Sequence, residues 1–198
     1  LSIPPRENPI PVPLGQRPRE PASREDSGGW QVRIVARCGA QSDSRNAFGV
    51  HANARDGDDT EDRSDPPPAP GPAVSLYFLT DAHAASAGRT GARRTIDLRA
   101  PMTIAAADVP RGQRWLFDVA RTGPELEQAG MHLEFAGLES VPAGMCLQLF
   151  DRSLETTIDL REQNAYTYIA STRPLLDDPA LARFEILAGT PAFVDSAR

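Results

Sequence analysis

From Trp30 onward, the chain is a series of short runs in which apolar and polar residues alternate, separated by glycine, proline and aspartate. Alternation with period two places one set of side chains on each face of a β-strand. Many short strands with turn residues between them predict an all-β protein, a sandwich or a barrel, and we expect one antiparallel β-sandwich over residues 30–189. The clearest runs occupy residues 30–36, 74–78, 115–119, 131–135, 146–150, 157–160, 166–169 and 183–187.

A proline-rich leader precedes these runs. Seven of the 19 prolines lie before Trp30, and closely spaced prolines prevent continuous helix or strand and favour polyproline II. Residues 1–29 are therefore predicted to form an extended arm or linker, and residues 190–198 a C-terminal tail. Four apolar leader residues gain nothing in water and favour an arm that lies on a neighbouring subunit, although a stiff linker from an upstream domain is the alternative. These residues are Ile3, Ile10, Val12 and Leu14.

Residues 38–72 are polar and rich in glycine, aspartate and proline, and we predict a long acidic loop, with Phe48 and Val50 anchoring it to the sandwich. Two short runs, 94–98 and 102–105, are predicted to be edge strands. Much of the net charge of −6 lies in the acidic loop. A nucleic-acid-binding protein would carry a basic stripe instead, so we expect no nucleic-acid partner.

The acidic loop contains the candidate metal site. Oxygen ligands clustered around a glycine are typical of Ca²⁺ sites, and here four aspartates surround Gly57. The spacing does not match an EF-hand loop, and a solvated acidic turn is the alternative interpretation. The candidate ligands are Asp56, Asp58, Asp59 and Asp62.

The chain has two cysteines, Cys38 and Cys146, each at or beside a predicted strand. In an oxidising compartment they could form one bridge that closes a loop of about a hundred residues and adds about 2–4 kcal/mol. Two buried thiols acting as small hydrophobic side chains are the alternative. All 21 basic residues are arginine, which is typical of a GC-rich genome.

No pattern in the sequence predicts catalysis. A serine-hydrolase elbow, a phosphate-binding loop and a dinucleotide fingerprint are absent, and the histidines His51, His83 and His132 are scattered. We therefore predict a non-enzyme without a cofactor, apart from the candidate Ca²⁺. Tyr166 and Tyr168 are the one candidate pair for stacking against a ligand. No run approaches the ~18–20 apolar residues that a membrane-spanning helix needs.

Several segments together resemble an immunoglobulin-like β-sandwich module found near the C-terminus of large exported bacterial surface proteins. The resemblance covers most of residues 29–189 and implies export, an extracellular or cell-surface location, or a periplasmic one, and a structural or adhesive setting. It carries no catalytic residues. An aspartate, Asp59, follows Asp58 where the family pattern has an aromatic residue. The segments are 29–36, 43–50, 56–59, 66–70, 74–78, 115–119, 137–142, 158–162 and 166–168.

These observations favour a non-catalytic structural subunit of an extracellular bacterial assembly, such as a filament, sheath or surface layer. Its partners would be copies of itself or other surface subunits, contacted through the arm and the strand edges. A carbohydrate- or surface-binding accessory module of a larger secreted protein is the second hypothesis, and a hydrolase with an unrecognised site is the third. An exposed aromatic patch would favour the second hypothesis, and a deep pocket with converging histidine and carboxylates the third.

Overall fold

The computed structural model describes residues 29–55, 59–67, 70–80, 93–102, 109–126, 129–169, 176 and 178–197. Within them, strands account for nearly all regular structure, with one short α-helix at the C-terminal end. The strands are β1 Trp30–Cys38, β2 Gln41–Val50, β3 Arg63–Ser64, β4 Ala73–Leu79, β5 Arg93–Arg99, β6 Gly112–Thr122, β7 Gly130–Ala136, β8 Cys146–Asp151, β9 Thr156–Asp159, β10 Ala165–Ile169 and β11 Phe184–Gly189, and the helix is α1 Pro191–Ser196.

The strands form a single curled sheet in the order β10-β7-β1-β2-β5-β4-β6-β11-β8-β9, with β3 paired to β5. Each of the alternating runs overlaps a strand, so the all-β prediction is confirmed. The pairing is mixed rather than purely antiparallel, because β2 and β5 run parallel. The sheet is continuous, and the finer expectation of an immunoglobulin-like sandwich stays a prediction.

The inner face of the curl carries the core. Along β1, alternate residues from Trp30 to Cys38 point inward and are buried. Trp30, Phe48 and Trp115 pack edge-on or tilted, with ring centroids 5.2–5.9 Å apart, a geometry that aromatic pairs favour. Phe117 and Phe184 stack at 5.0 Å on the neighbouring strands. One aromatic cluster therefore joins strands from both halves of the sheet.

The prediction of a long loop over residues 38–72 is wrong, because this range contains the strands β2 and β3. Strand β2 pairs with β1 as a hairpin, and its C-terminal half, including Phe48 and Val50, is buried as expected. Its N-terminal half is polar and partly exposed, which hides the strand pattern in the sequence. The run 94–98 lies in β5, between β2 and β4, and is therefore not an edge strand. Residues 103–105 of the other predicted edge strand lie outside the described residues.

The predicted C-terminal tail is wrong, because residues 191–196 form α1. Thr190 caps the helix by accepting a hydrogen bond from the Phe193 N–H at 3.3 Å, and its hydroxyl also donates to the Val109 carbonyl at 2.8 Å. The Phe193 ring sits where a side chain on Gly112 would be, since a Cβ there would lie 2.0 Å from it. Capping and close packing together hold this helix on β6 and β11.

The two ends of the sheet are tied by a buried ion pair. Arg183, immediately before β11, donates to both carboxylate oxygens of Asp151 at the end of β8, with its shortest contact at 2.7 Å. The Tyr166 hydroxyl on β10 donates to the same carboxylate at 2.9 Å. The guanidinium also lies over the Tyr168 ring, 4.0 Å from its centroid. Strand β10 therefore lies against β8 and β11, although it is at the opposite end of the strand order.

The two cysteines are free thiols, so the predicted disulfide is not formed. Cys38 is buried at the end of β1, with its sulfur directed at the carbonyl oxygens of Leu126 (4.0 Å) and Ala129 (3.8 Å). Cys146 begins β8 and is partly buried, and burial raises the pKa of its thiol. The sheet order places β1 and β8 in separate parts of the sheet.

No helix in the described part of the chain is long and apolar enough to cross a membrane.

We expect Asp151→Asn to lower the free energy of unfolding by about 3–5 kcal/mol, because Arg183 would remain buried beside a neutral group. Urea denaturation measures this. The exposed pair of Arg37 and Glu134, at 3.3 Å, provides the control, since Glu134→Gln is expected to cost less than about 1 kcal/mol. Equal losses in the two variants would contradict the importance of the buried pair.

Candidate functional site

An open groove of about 1110 Å³ is lined by residues of β1, β2, β3 and β5 and of the segment after β7. Its lining includes Gly29 and Trp30, at the start of β1. Its lining is mixed in character, with apolar patches from Val50, Ile96 and Leu98 between polar side chains. We call this cavity the basic groove because of the arginines in its walls. The polar residues that matter below are Gln31, Arg33, Arg45, Asn46 and Arg63.

One wall of the basic groove is the short 3-10 helix Leu138–Ser140. It approaches β1 closely, because Gly137 has φ +90° and a Cβ there would lie 2.8 Å from the Gln31 carbonyl oxygen. Ser140 fastens the contact: its hydroxyl donates to the Gln31 carbonyl at 3.1 Å and accepts from the Gln31 N–H at 3.3 Å. A left-handed backbone and the close approach both require glycine at position 137.

The opposite wall is β3, which a buried charge network holds on β5. The Asp62 carboxylate accepts from the Leu98 N–H at 3.0 Å and pairs with Arg94 at 2.8 Å. Arg94 also lies 3.6 Å from Asp97. The Asp62 and Arg94 side chains are 3% and 4% exposed, so this pairing takes place away from water. The network positions the next residue, Arg63, on the rim of the groove.

Two carboxyl groups beside β3 have unusual proton affinity. Burial raises the pKa of Asp62 from 3.8 to about 6, although Arg94 opposes the shift. Burial likewise raises the pKa of Asp65 to about 6, with Arg93 opposing it. Both groups take up protons in the mildly acidic range, in which an ordinary aspartate is ionised.

The arginines of the basic groove differ from most other arginines in the structure. Many of the other described arginines pair with carboxylates, as Arg114 does with Glu185 at 2.6 Å, or donate to carbonyl oxygens, as Arg152 does. Arg33, Arg45 and Arg63 form neither contact with any described residue, although Arg45 attracts Asp65 at longer range. Because the chain as a whole is acidic, with a net charge of −6, three unpaired guanidinium groups in one groove form a concentrated donor surface.

Asn46 adds an unpartnered amide to the same wall. Its side chain is fully buried, and neither its Nδ2 nor its Oδ1 has a hydrogen-bond partner. A buried amide without partners costs about 1–3 kcal/mol. It can both donate and accept, so it matches the C=O and N–H groups of an extended peptide backbone.

The predicted Ca²⁺ ligands are only partly described. Asp56 and Asp58 lie outside the described residues. Asp59 accepts from the Glu61 N–H at 2.7 Å, and Asp62 is committed to Arg94 and Leu98 as described above. No cluster of three or more metal-ligating side chains occurs among the described residues, so Ca²⁺ binding stays a prediction. The leader residues Ile3, Ile10, Val12 and Leu14 also lie outside the described part.

The candidate stacking pair does not form an exposed platform. Tyr166 and Tyr168 do stack, with centroids 5.8 Å apart, but Tyr168 also packs against Phe184 at 5.0 Å and is buried. Trp30 and Trp115 are buried in the core. These aromatic side chains therefore serve the packing of the sheet.

The two described histidines, His51 and His132, have polar partners, and His83 lies outside the described residues. His51, on the rim of the basic groove, contacts Glu61 at 3.4 Å, and no described serine hydroxyl bonds to it. His132 on β7 faces outward, as the sequence predicts, and bonds to the Thr167 hydroxyl at 3.0 Å.

Sequence reasoning missed the basic groove. The alternation over residues 30–36 puts Gln31 and Arg33 on the face opposite to Trp30, and both are exposed in β1. The signal that could have led further is the use of arginine throughout, because arginine on an outward strand face binds carbonyl and carboxylate groups well. Which arginines stay unpaired depends on strands far apart in the chain.

Comparison of the chain with models of known protein families, with curated proteins and with solved structures finds no match.

We expect Asn46→Leu to leave the free energy of unfolding unchanged or to raise it by about 1 kcal/mol, because a similar-sized apolar side chain removes an unsatisfied amide. The midpoint of urea denaturation measures this. Asn164→Leu, in the turn before β10, is the matched control and should bring no gain. A clear loss of stability in Asn46→Leu would show that the amide has a partner within the fold.

We expect the free energy of unfolding to increase when the pH falls from 7 to 5. The pKa of Asp62 and of Asp65 is about 6 in the fold and 3.8 ordinarily, so the native state binds more protons than the unfolded chain between these values. The contribution is fully present below pH 4 and is lost as the pH rises through 6.

Between pH 7 and pH 5, a pKa raised from 3.8 to about 6 corresponds to about 1 kcal/mol from each group. Urea denaturation at both pH values tests this, with Asp65→Asn as the comparison. The variant should lose about half of the pH effect, and an unchanged effect would contradict the assignment.

Proposed function

We propose that this chain is a non-catalytic structural subunit of an extracellular bacterial assembly, which contacts its neighbours through the proline-rich arm and the strand edges. In this proposal the curled sheet is an immunoglobulin-like module in the broad sense, with β-layers packed around one core. The extracellular setting rests on the sequence resemblance described above.

The observation that carries the proposal is the position of the basic groove. Gly29 and Trp30 are among its lining residues, so in this proposal every subunit has a binding surface beside the base of its own arm. The unpaired guanidinium groups and the free amide of Asn46 are suited to a chain segment whose backbone is unsatisfied. An extended arm and a groove rich in donors are complementary parts of one contact.

The sheet edges supply a second kind of contact surface. Strands β9 and β10 are at the two ends of the strand order, and among the described residues each is hydrogen-bonded to one strand only. Ile169 on β10 is 80% exposed, and Leu154, just before β9, is 59% exposed. Open edges with exposed apolar residues favour pairing with another chain.

The alternative as a carbohydrate-binding module has less support. Such sites usually present exposed aromatic faces, whereas the tryptophans and the Tyr166–Tyr168 pair are used in packing. The hydrolase alternative would need a nucleophile beside His51, and the described contacts supply none. Both observations favour the assembly role.

Deletion of residues 1–28 is expected to leave the sheet folded and to abolish assembly. The four apolar arm residues would contribute on the order of 6–10 kcal/mol when buried on a neighbour, before ordering costs. Thermal melting and electron microscopy compare the deleted and the full chain. The full-length chain with Ile3, Ile10, Val12 and Leu14 all changed to serine is the matched control and should behave like the deletion. If the deleted chain still assembles, the arm is only a linker and the proposal is refuted.

A further inference from the structure

The arm has many hydrogen-bond acceptors and few donors, and any surface that binds it must match this imbalance. Residues 2–14 contain five prolines, each without an N–H group, so this segment has many carbonyl acceptors and few donors. In polyproline II these carbonyls point outward and make no internal hydrogen bonds. A complementary surface must therefore supply mainly donors, with apolar patches for Ile10, Val12 and Leu14.

The basic groove has this composition. Guanidinium groups carry five N–H donors and no acceptor, and Arg33, Arg45 and Arg63 are without described partners. Asn46 adds a free amide, and Val50, Ile96 and Leu98 supply apolar lining.

The fold itself shows that its arginines bind backbone carbonyls. Arg161 donates to the carbonyls of Val141 at 3.1 Å and Met145 at 3.2 Å, and also to that of Pro142. Arg152 donates to the Ala182 carbonyl at 2.9 Å, and Arg121 holds the Leu126 and Ala129 carbonyls. The groove arginines can bind backbone carbonyls in the same way, but no described residue of the fold supplies those carbonyls.

The arm is long enough to reach a second subunit. Residues 15–28 separate the proline-rich segment from Gly29 and span up to about 45 Å when extended. A domain of this size has a radius of gyration of about 15 Å. The segment can therefore lie in the groove of an adjacent copy.

We propose that residues 2–14 of one copy bind in the basic groove of a neighbouring copy, with Arg33, Arg45 and Arg63 donating to the arm's backbone carbonyls. This inference rests on the proposed function and identifies the surface that receives the arm. It predicts recognition of backbone acceptors rather than of charge, since Arg6 and Glu7 cancel within the segment.

Peptide binding tests the groove without depending on assembly. The probe is a fluorescent synthetic peptide of residues 1–14, and the host is the full chain carrying Ile10→Asp and Val12→Asp, called the arm variant, whose own arm cannot compete. We expect binding with a Kd below about 1 mM, the range in which a tethered segment is effective. Raising the salt concentration should change it little, because the peptide segment 2–14 is neutral.

The groove variant carries Arg33→Ala, Arg45→Ala and Arg63→Ala in the full chain. We expect it to bind the peptide at least tenfold more weakly than the arm variant does. Arg55→Ala in the arm variant is the matched control, because Arg55 also lacks a described side-chain partner but lies outside the groove lining. It should bind as the arm variant does. Equal binding by the groove variant, or no binding by the arm variant, would overturn the inference.

A mixing experiment decides which copy supplies the arm. Neither variant should associate alone, whereas an equimolar mixture should give heterodimers in analytical ultracentrifugation, since the intact arm of one fits the intact groove of the other. A mixture that stays monomeric while the peptide binds would place the arm in its own groove and overturn the contact between copies. If the deleted chain of residues 29–198 assembles, the proposed function fails. If the deletion abolishes assembly but the groove variant binds the peptide as well as the arm variant does, only this inference is overturned.

Discussion

The buried pair of Arg183 and Asp151 is the interaction on which the shape of this protein depends. A sheet of eleven strands has two distant ends, and twist alone does not bring them together. Here one carboxylate at the end of β8 receives both the guanidinium from β11 and the tyrosine hydroxyl from β10. Burying these charges is costly. Strands β8 and β11 are already hydrogen-bonded neighbours, so the value of the pair lies in the contacts that it offers to the Tyr166 hydroxyl and the Tyr168 ring of β10. The aromatic core can pack once these contacts are set.

The same contrast between paired and unpaired arginine runs through the rest of the molecule. Arg94 pairs with Asp62 and Asp97 beneath β3, and Arg161 donates to three carbonyls in the turn before β8. Arg33, Arg45 and Arg63, in contrast, have no described acceptor. Because the chain contains no lysine, the arginines without a described acceptor are the basic side chains to consider first when a binding surface is sought.

The sequence predicted the strands whose apolar residues alternate clearly, such as β1, β4 and β6, because this alternation indicates directly which face of the strand is buried. It did not predict β2, whose first half is polar. It misplaced β5 at an edge, because Arg94 and Asp97 suggest an exposed strand. In the fold Arg94 is buried and pairs with both Asp62 and Asp97. The groove was beyond prediction for the same reason: its walls come from β1 (Trp30–Cys38), β3 (Arg63–Ser64) and the turn at Gly137, which are far apart in sequence. Helix α1 was missed since its cap, Thr190, is effective only through contacts with Val109 and Arg111.

The order of strands has a consequence for how the chain acquires its structure. Strands β1 and β2 form a local hairpin, but the outer edge of β1 is paired by β7, which begins at Gly130. The other neighbour of β2 is β5, and their parallel pairing requires a long crossover. During synthesis the hairpin therefore stands with both edges open until most of the chain has emerged. Folds with such distant pairings form slowly and expose strand edges while they wait. Charged side chains along a strand limit premature pairing of this kind, and β1 carries two exposed ones, Arg33 and Arg37.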